Sequence, residues 1–62
     1  MITFKSIIIT RHKSTKLTEI YFNVTFKHGT KLQGTLIKKL RNEINIDIAK
    51  GIILSYINLN AN

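Results

Sequence analysis

The sequence predicts an all-β domain, a small barrel of five strands. Three observations lead to this prediction. Residues 18–27 alternate between large apolar and polar side chains, which is typical of a half-buried strand. Four further short apolar segments are separated from it and from one another by polar or glycine-containing turns. The chain has 62 residues, which is the length of a single domain, 1–62.

The first predicted strand spans residues 2–11. Its segment Ile7, Ile8 and Ile9 offers apolar side chains to both faces, so we expect cover on both sides, within a barrel or at a subunit contact. A polar and basic connection over residues 11–16 follows. The second strand then places Ile20, Phe22, Val24 and Phe26 on one face, and each of these side chains stabilises the fold by roughly 1.5–3 kcal/mol if fully buried.

A hairpin is predicted to link the second and third strands, because Gly29 can adopt the positive φ that a tight turn requires. Apolar residues alternate again after the turn. Matching the apolar faces gives a register with Phe26 opposite Leu32, Val24 opposite Gly34, Phe22 opposite Leu36 and Lys27 opposite Lys31, with a loop of residues 28–30. Gly34 in mid-strand is typical of the bend that a small barrel needs.

The last part of the chain is predicted to form two more strands. Ile44, Ile46 and Ile48 alternate with polar residues and predict the fourth strand, residues 49–51 predict a turn, and residues 52–59 predict the fifth. A competing interpretation is an amphipathic helix at about 35–45, with Thr35 as its N-cap. That helix would make the fold α+β.

Composition excludes several kinds of protein and indicates one. The absence of cysteine excludes disulfides and thiolate metal sites, and the few scattered carboxylates and histidines predict no metal, no cofactor and no enzymatic activity. The longest apolar runs, of three residues, predict no membrane span, and we expect a cytoplasmic protein, in the host cytoplasm if the chain is viral. A chain this short is marginal alone, so we expect good packing or a homo-oligomer.

The net charge of +7 predicts a polyanionic partner, RNA or DNA. Its binding surface is predicted on the outward face of the hairpin, where hydroxyl, amide and ammonium groups would contact phosphates and Tyr21 would stack on a base. Like charges at Lys27 and Lys31 favour a nearby anion. The predicted nucleic-acid-binding residues are Tyr21, Asn23, Thr25, Lys27, Lys31 and Gln33 on the hairpin and Lys38, Lys39 and Arg41 beyond its far end.

Residues 28–36 followed by residues 44–48 resemble the first motif of the Sm-like family of small RNA-binding barrels, and other SH3-like barrels share this pattern. The resemblance covers residues 18–57. It implies a five-stranded SH3-like or Sm-like barrel, and it implies that Asn45 helps to bind a base. The chain departs from the family in its turn over residues 40–42, in Ser55 and Tyr56 at the second motif, and in an N-terminal strand where the family has a helix.

An alternative function does not involve nucleic acid. Isoleucine, lysine and asparagine are abundant in this chain, and all three have A/T-rich codons, which is typical of some phages and viruses. A small phage or virus-encoded protein could inhibit or modulate a host protein by occluding an acidic surface. Recovery of a single protein partner, insensitive to nuclease, would favour this alternative.

Overall fold

The fold is α+β: three antiparallel strands form one open sheet, and a single helix follows them. A computed structural model describes residues 2–60. Its elements are β1 (Ile2–His12), β2 (Leu17–Phe26), β3 (Lys31–Lys39) and α1 (Ile46–Asn60), and the strand order is β1-β2-β3. The predicted closed five-stranded barrel is therefore wrong. The three N-terminal strands lie where alternation places them, and the competing class, α+β, has its helix in a different place.

The central strand β2 provides the core of the sheet. Ile20, Phe22 and Val24 are buried, as their period-2 spacing predicts. Phe26 is only partly buried and packs against them. Their neighbours on β1 are Phe4, Ile7 and Ile9, and those on β3 are Leu32 and Leu36. The side chains of the inner face thus form one apolar layer.

A bulge in β1 keeps its apolar residues on that layer. The pairing of β1 with β2 shifts between Phe4 and Ser6, so Lys5 is the extra residue. Because of this insertion, Phe4 and Ile7 share the inner face although they are three positions apart. Ile7 and Ile9 face inward, whereas Ile8 points to the opposite face and is 57% exposed.

The β2–β3 hairpin has a different register from the predicted one. Phe22 lies opposite Gly34, and Val24 lies opposite Leu32, so the predicted pairing is displaced by two residues along the strand. The turn closes with the Gly29 N–H donating to the Phe26 carbonyl, at 2.9 Å, and Gly29 has φ 88°. The Phe22 ring lies 3.5 Å from the point where Gly34 would bear a Cβ, so this ring covers the glycine.

Residues 46–60 form a helix where two strands and a turn were predicted. Asn45 caps it: its Oδ1 accepts a hydrogen bond of 2.9 Å from the Ile48 N–H, and Asp47 follows in the first turn. Ala49 and Ile53 are buried against the sheet, while Ile52 and Ile57 are partly buried. This i, i+3, i+4, i+8 spacing is helical, and tertiary packing of that face overrides the strand preference of the isoleucines.

The helix crosses from β1 to β2. The Lys50 Nζ lies 5.5 Å from the centroid of the Phe4 ring on β1, and the Tyr56 ring meets Phe22 on β2 edge to face, with centroids 6.1 Å apart. The helix covers the inner face only. The outer face of the sheet has no second layer of described residues over it.

Candidate nucleic-acid interface

The predicted site residues on the hairpin do share one face of the sheet. Tyr21, Asn23 and Thr25 on β2 lie beside Thr35, Gln33 and Lys31 on β3, all on the outer face. The Tyr21 hydroxyl donates a hydrogen bond to Gln33 Oε1 over 3.4 Å. The face is therefore polar, but Lys31 is the one cation among these six residues.

Two of the predicted contacts are less available than the sequence indicates. The Thr25 Oγ1 is shielded from solvent and has no hydrogen-bond partner among residues 2–60. The side-chain oxygen of Asn45 is engaged by the first turn of α1. Both residues remain predictions as nucleic-acid contacts. To contact a ligand, the Thr25 hydroxyl would have to become exposed, and the Asn45 side-chain oxygen would have to release the Ile48 N–H.

Lys27 lies in the turn rather than on the strand face. It does not oppose Lys31, because Lys31 pairs with Thr25. The anion predicted between two facing lysines therefore has no geometric basis. Lys27 and Lys31 are both exposed at this end of the hairpin.

The largest group of cations lies at the opposite end of the sheet. The β1–β2 turn brings residues 13–16 next to the end of β3, where Leu17 pairs with Lys39 and the Leu40 N–H donates to the Lys16 carbonyl at 3.0 Å. Six of the ten Lys and Arg residues lie in residues 11–16 and 38–41. We call them the basic end: Arg11, Lys13, Lys16, Lys38, Lys39 and Arg41.

The guanidinium of Arg11 organises the basic end. Its Nη1 donates to Thr18 Oγ1 (3.1 Å), the Leu40 carbonyl (3.1 Å) and the Asn42 carbonyl (3.2 Å), and its Nη2 donates to the Arg41 carbonyl (2.9 Å). A planar guanidinium with several N–H donors suits this set of one hydroxyl and three carbonyl acceptors. Arg11 thereby fixes the start of the β3–α1 loop and so positions the exposed side chain of Arg41.

Two carboxylates lie beside the cations of the basic end. Glu19 pairs with His12, with Oε2 and Nε2 2.5 Å apart. Glu43 lines a cleft of about 370 Å³ together with Arg11, Lys13, Thr18, Ile9 and Ile44. Six cations against these two carboxylates leave a formal charge of +4 in this region, with His12 counted as neutral.

The two neighbouring lysines at the end of β3 point in opposite directions. Lys38 pairs with Thr18 on the inner face, and Lys39 pairs with Leu17 on the outer face. The basic end therefore presents cations around the edge of the sheet and not on one face. Sequence reasoning included Lys38, Lys39 and Arg41 but missed Arg11, Lys13 and Lys16. The signal available for the missed residues was the run of cations between the first two strands.

Comparison of the chain with protein-family models, curated proteins and solved structures finds no match. Among residues 2–60, no three His, Asp or Glu side chains gather into a group that could hold a metal ion. Within the same part of the chain, α1 is too short to cross a bilayer.

Proposed function

We propose that this chain is a non-enzymatic nucleic-acid-binding protein that contacts phosphates through its basic end. The observation that supports this proposal is the concentration of six of the ten cations in residues 11–16 and 38–41. Five of the six are exposed, and Arg11 is partly buried. Lysine and arginine at this density neutralise phosphates and release counterions, which favours binding to any sequence.

The basic end is an independent electrostatic unit. Strand β2 has 10 residues. At about 3.3 Å per residue, its two ends are roughly 30 Å apart. That separation is several times the Debye length of about 8 Å at physiological ionic strength. Lys27 and Lys31 at the hairpin end therefore add little to the potential that a phosphate meets near Lys13 or Lys39.

The outer face of the sheet is the natural continuation of this surface. Lys39 belongs to both the basic end and the outer face, since it ends β3 on that face beside Leu17. Further along, Tyr21 is partly exposed and Gln33 is exposed. A single nucleic-acid strand would place its phosphates against the cations of the basic end. Its bases would then contact the aromatic ring and the amide groups of the outer face.

The experiment measures binding of labelled single- and double-stranded RNA and DNA by fluorescence anisotropy at several salt concentrations. The test variant is Lys13→Gln/Lys39→Gln/Arg41→Gln at the basic end. The control is Lys5→Gln/Lys27→Gln/Lys31→Gln, which removes the same charge from exposed positions away from it. Circular dichroism verifies that both variants remain folded.

We expect the wild type to bind with an affinity that falls steeply with salt. The basic-end variant should lose most of this binding, and the slope of log K against log salt should fall by about one for each lost phosphate contact. The control should retain most of it. Equal losses in both variants would show that net charge, and not the basic end, accounts for binding. If no nucleic acid binds in a salt-dependent way, the proposal is wrong.

An acidic protein surface could also meet the basic end, and nuclease treatment distinguishes the two kinds of partner. Material recovered with the tagged protein should be released by nuclease under this proposal. Recovery of one protein partner that survives both nuclease and high salt would contradict it.

A further inference from the structure

Strand β1 forms a free edge of the sheet. In the order β1-β2-β3 it pairs with β2 on one side only. On its other side, it makes no backbone hydrogen bond with any residue of the described chain, 2–60. A row of unpaired N–H and C=O groups is a template for pairing with another strand.

The two edges of the sheet differ in the residues at their centres. Both edge strands carry cations towards their ends, but the uncharged segment 32–37 of β3 is interrupted by Gly34, which weakens a strand. The segment 6–10 of β1 contains no charged residue, and Ile7, Ile8 and Ile9 occupy its centre. Ile8 is 57% exposed on the outer face, where no neighbouring layer covers it. The uninterrupted β-branched segment thus makes β1 the edge that is better suited to pairing.

We propose that β1 pairs antiparallel with β1 of a second copy of this chain, around a two-fold axis at Ile8, so that two sheets form one sheet of six strands. In this register, Ile7 lies opposite Ile9 of the second copy, and Ser6 lies opposite Thr10. Apolar residues meet on the inner face and hydroxyl groups meet on the outer face, flanking the two Ile8 side chains.

Three features favour a second copy over an unrelated strand. The segment 6–10 is self-complementary about Ile8, which is what a two-fold contact requires. The bulge at Lys5 ends regular pairing before Lys5 would meet Arg11 of the other copy. Only five apolar side chains are buried among residues 2–60, and a continuous sheet would extend this core across Ile7 and Ile9.

Charge also selects the direction of pairing. In the antiparallel dimer, the basic end of each copy extends away from the axis, and the two basic ends lie at opposite ends of the six-stranded sheet. Parallel pairing would bring them together. Each chain has a net charge of +7, and the antiparallel arrangement separates the two most strongly charged regions and so lowers their repulsion. This inference does not depend on the proposed function, since dimerisation is measured without nucleic acid.

The first test is the mass in solution, by light scattering after size exclusion, over a range of protein concentrations. We expect the wild type to reach twice the 7.1 kDa of one chain. Ile8→Lys should give the monomer, because it sets two ammonium groups opposite each other at the axis. Ile37→Lys is the matched control: Ile37 is 63% exposed on the same face, on the other edge strand, and its substitution should leave the dimer intact.

The second test uses the absence of cysteine in the chain. Residues opposite each other in an antiparallel pair have Cα atoms about 4.5–5.5 Å apart, which permits a disulfide. Ile8→Cys should therefore oxidise to a covalent dimer, and Ile37→Cys should remain reduced under the same conditions. A wild type that stays monomeric at every concentration overturns the proposal. So does a dimer that persists in Ile8→Lys, or equal cross-linking of both cysteine variants.

Discussion

Loss of the Arg11 guanidinium should destabilise the whole domain although this side chain lies at the margin of the core. Arg11→Met removes the donor of four hydrogen bonds, and the two to Thr18 Oγ1 and the Leu40 carbonyl are partly buried. A hydrogen bond to a charged group contributes about 1.5–3 kcal/mol. The two bonds to the Arg41 and Asn42 carbonyls are exposed and should add little.

We therefore expect Arg11→Met to lower the free energy of unfolding by about 2 kcal/mol. A domain of this size has roughly 3–9 kcal/mol in total, at 0.05–0.15 kcal/mol per residue. The expected fall in Tm is then roughly 8–16 °C. Urea denaturation followed by circular dichroism measures the first quantity, and a thermal scan measures the second.

The matched control is Arg41→Met, since the Arg41 guanidinium is exposed and makes no hydrogen bond within residues 2–60. Arg11→Lys retains the charge but offers a single nitrogen to acceptors spread over four residues, so it should recover less than half of the loss. If Arg11→Met costs less than about 0.5 kcal/mol, the usual scale of a surface substitution, or no more than Arg41→Met, then these hydrogen bonds do not hold the loop in solution.

Three further predictions concern the backbone and are checked by urea denaturation. Lys16 has φ 60°, so Lys16→Gly should stabilise the protein by up to about 1 kcal/mol, whereas Lys16→Ala should not; equal effects would mean that the strain is absent. Asn45→Ala should cost about 1 kcal/mol through loss of the N-cap, and Asn45→Asp should retain stability; a neutral Asn45→Ala would show that the cap contributes nothing. Gly51→Ala should stabilise α1 by roughly 0.5–1 kcal/mol, because an added Cβ meets nothing within 4 Å, and destabilisation would reveal an unseen contact.

The three strands could be predicted from the sequence because each buries one face in a regular period of 2. The helix could not, because Ile44, Ile46 and Ile48 also alternate and Gly51 is typical of a turn. The signals that favoured a helix were local: Asn45 before the apolar run and Asp47 in its first turn. Fifteen residues with isoleucine at so many positions satisfy both periods, and only packing against the sheet decides between them.

The candidate site was predicted in part. Alternation correctly placed Tyr21 and Gln33 on the outward face. The basic end required knowledge that the β1–β2 turn meets the end of β3, a contact between segments more than 20 residues apart. A register error of two residues also moved Lys27 out of its predicted pairing. Neither the register of a hairpin nor the partner of a distant loop follows from the apolar pattern alone.

The connections of the sheet bear on how the chain folds. Each strand pairs with the one next to it in sequence, through turns of a few residues, so the sheet can assemble without closing a long loop. Among residues 2–60, the helix contacts the sheet through side chains, after the loop that Arg11 holds. We expect amide hydrogens of β2, which has a partner on each side, to exchange slowest, and those of α1 to exchange sooner through local detachment. The strands would thus fold in sequence order, and α1, which joins the sheet last, would be the first element to unfold.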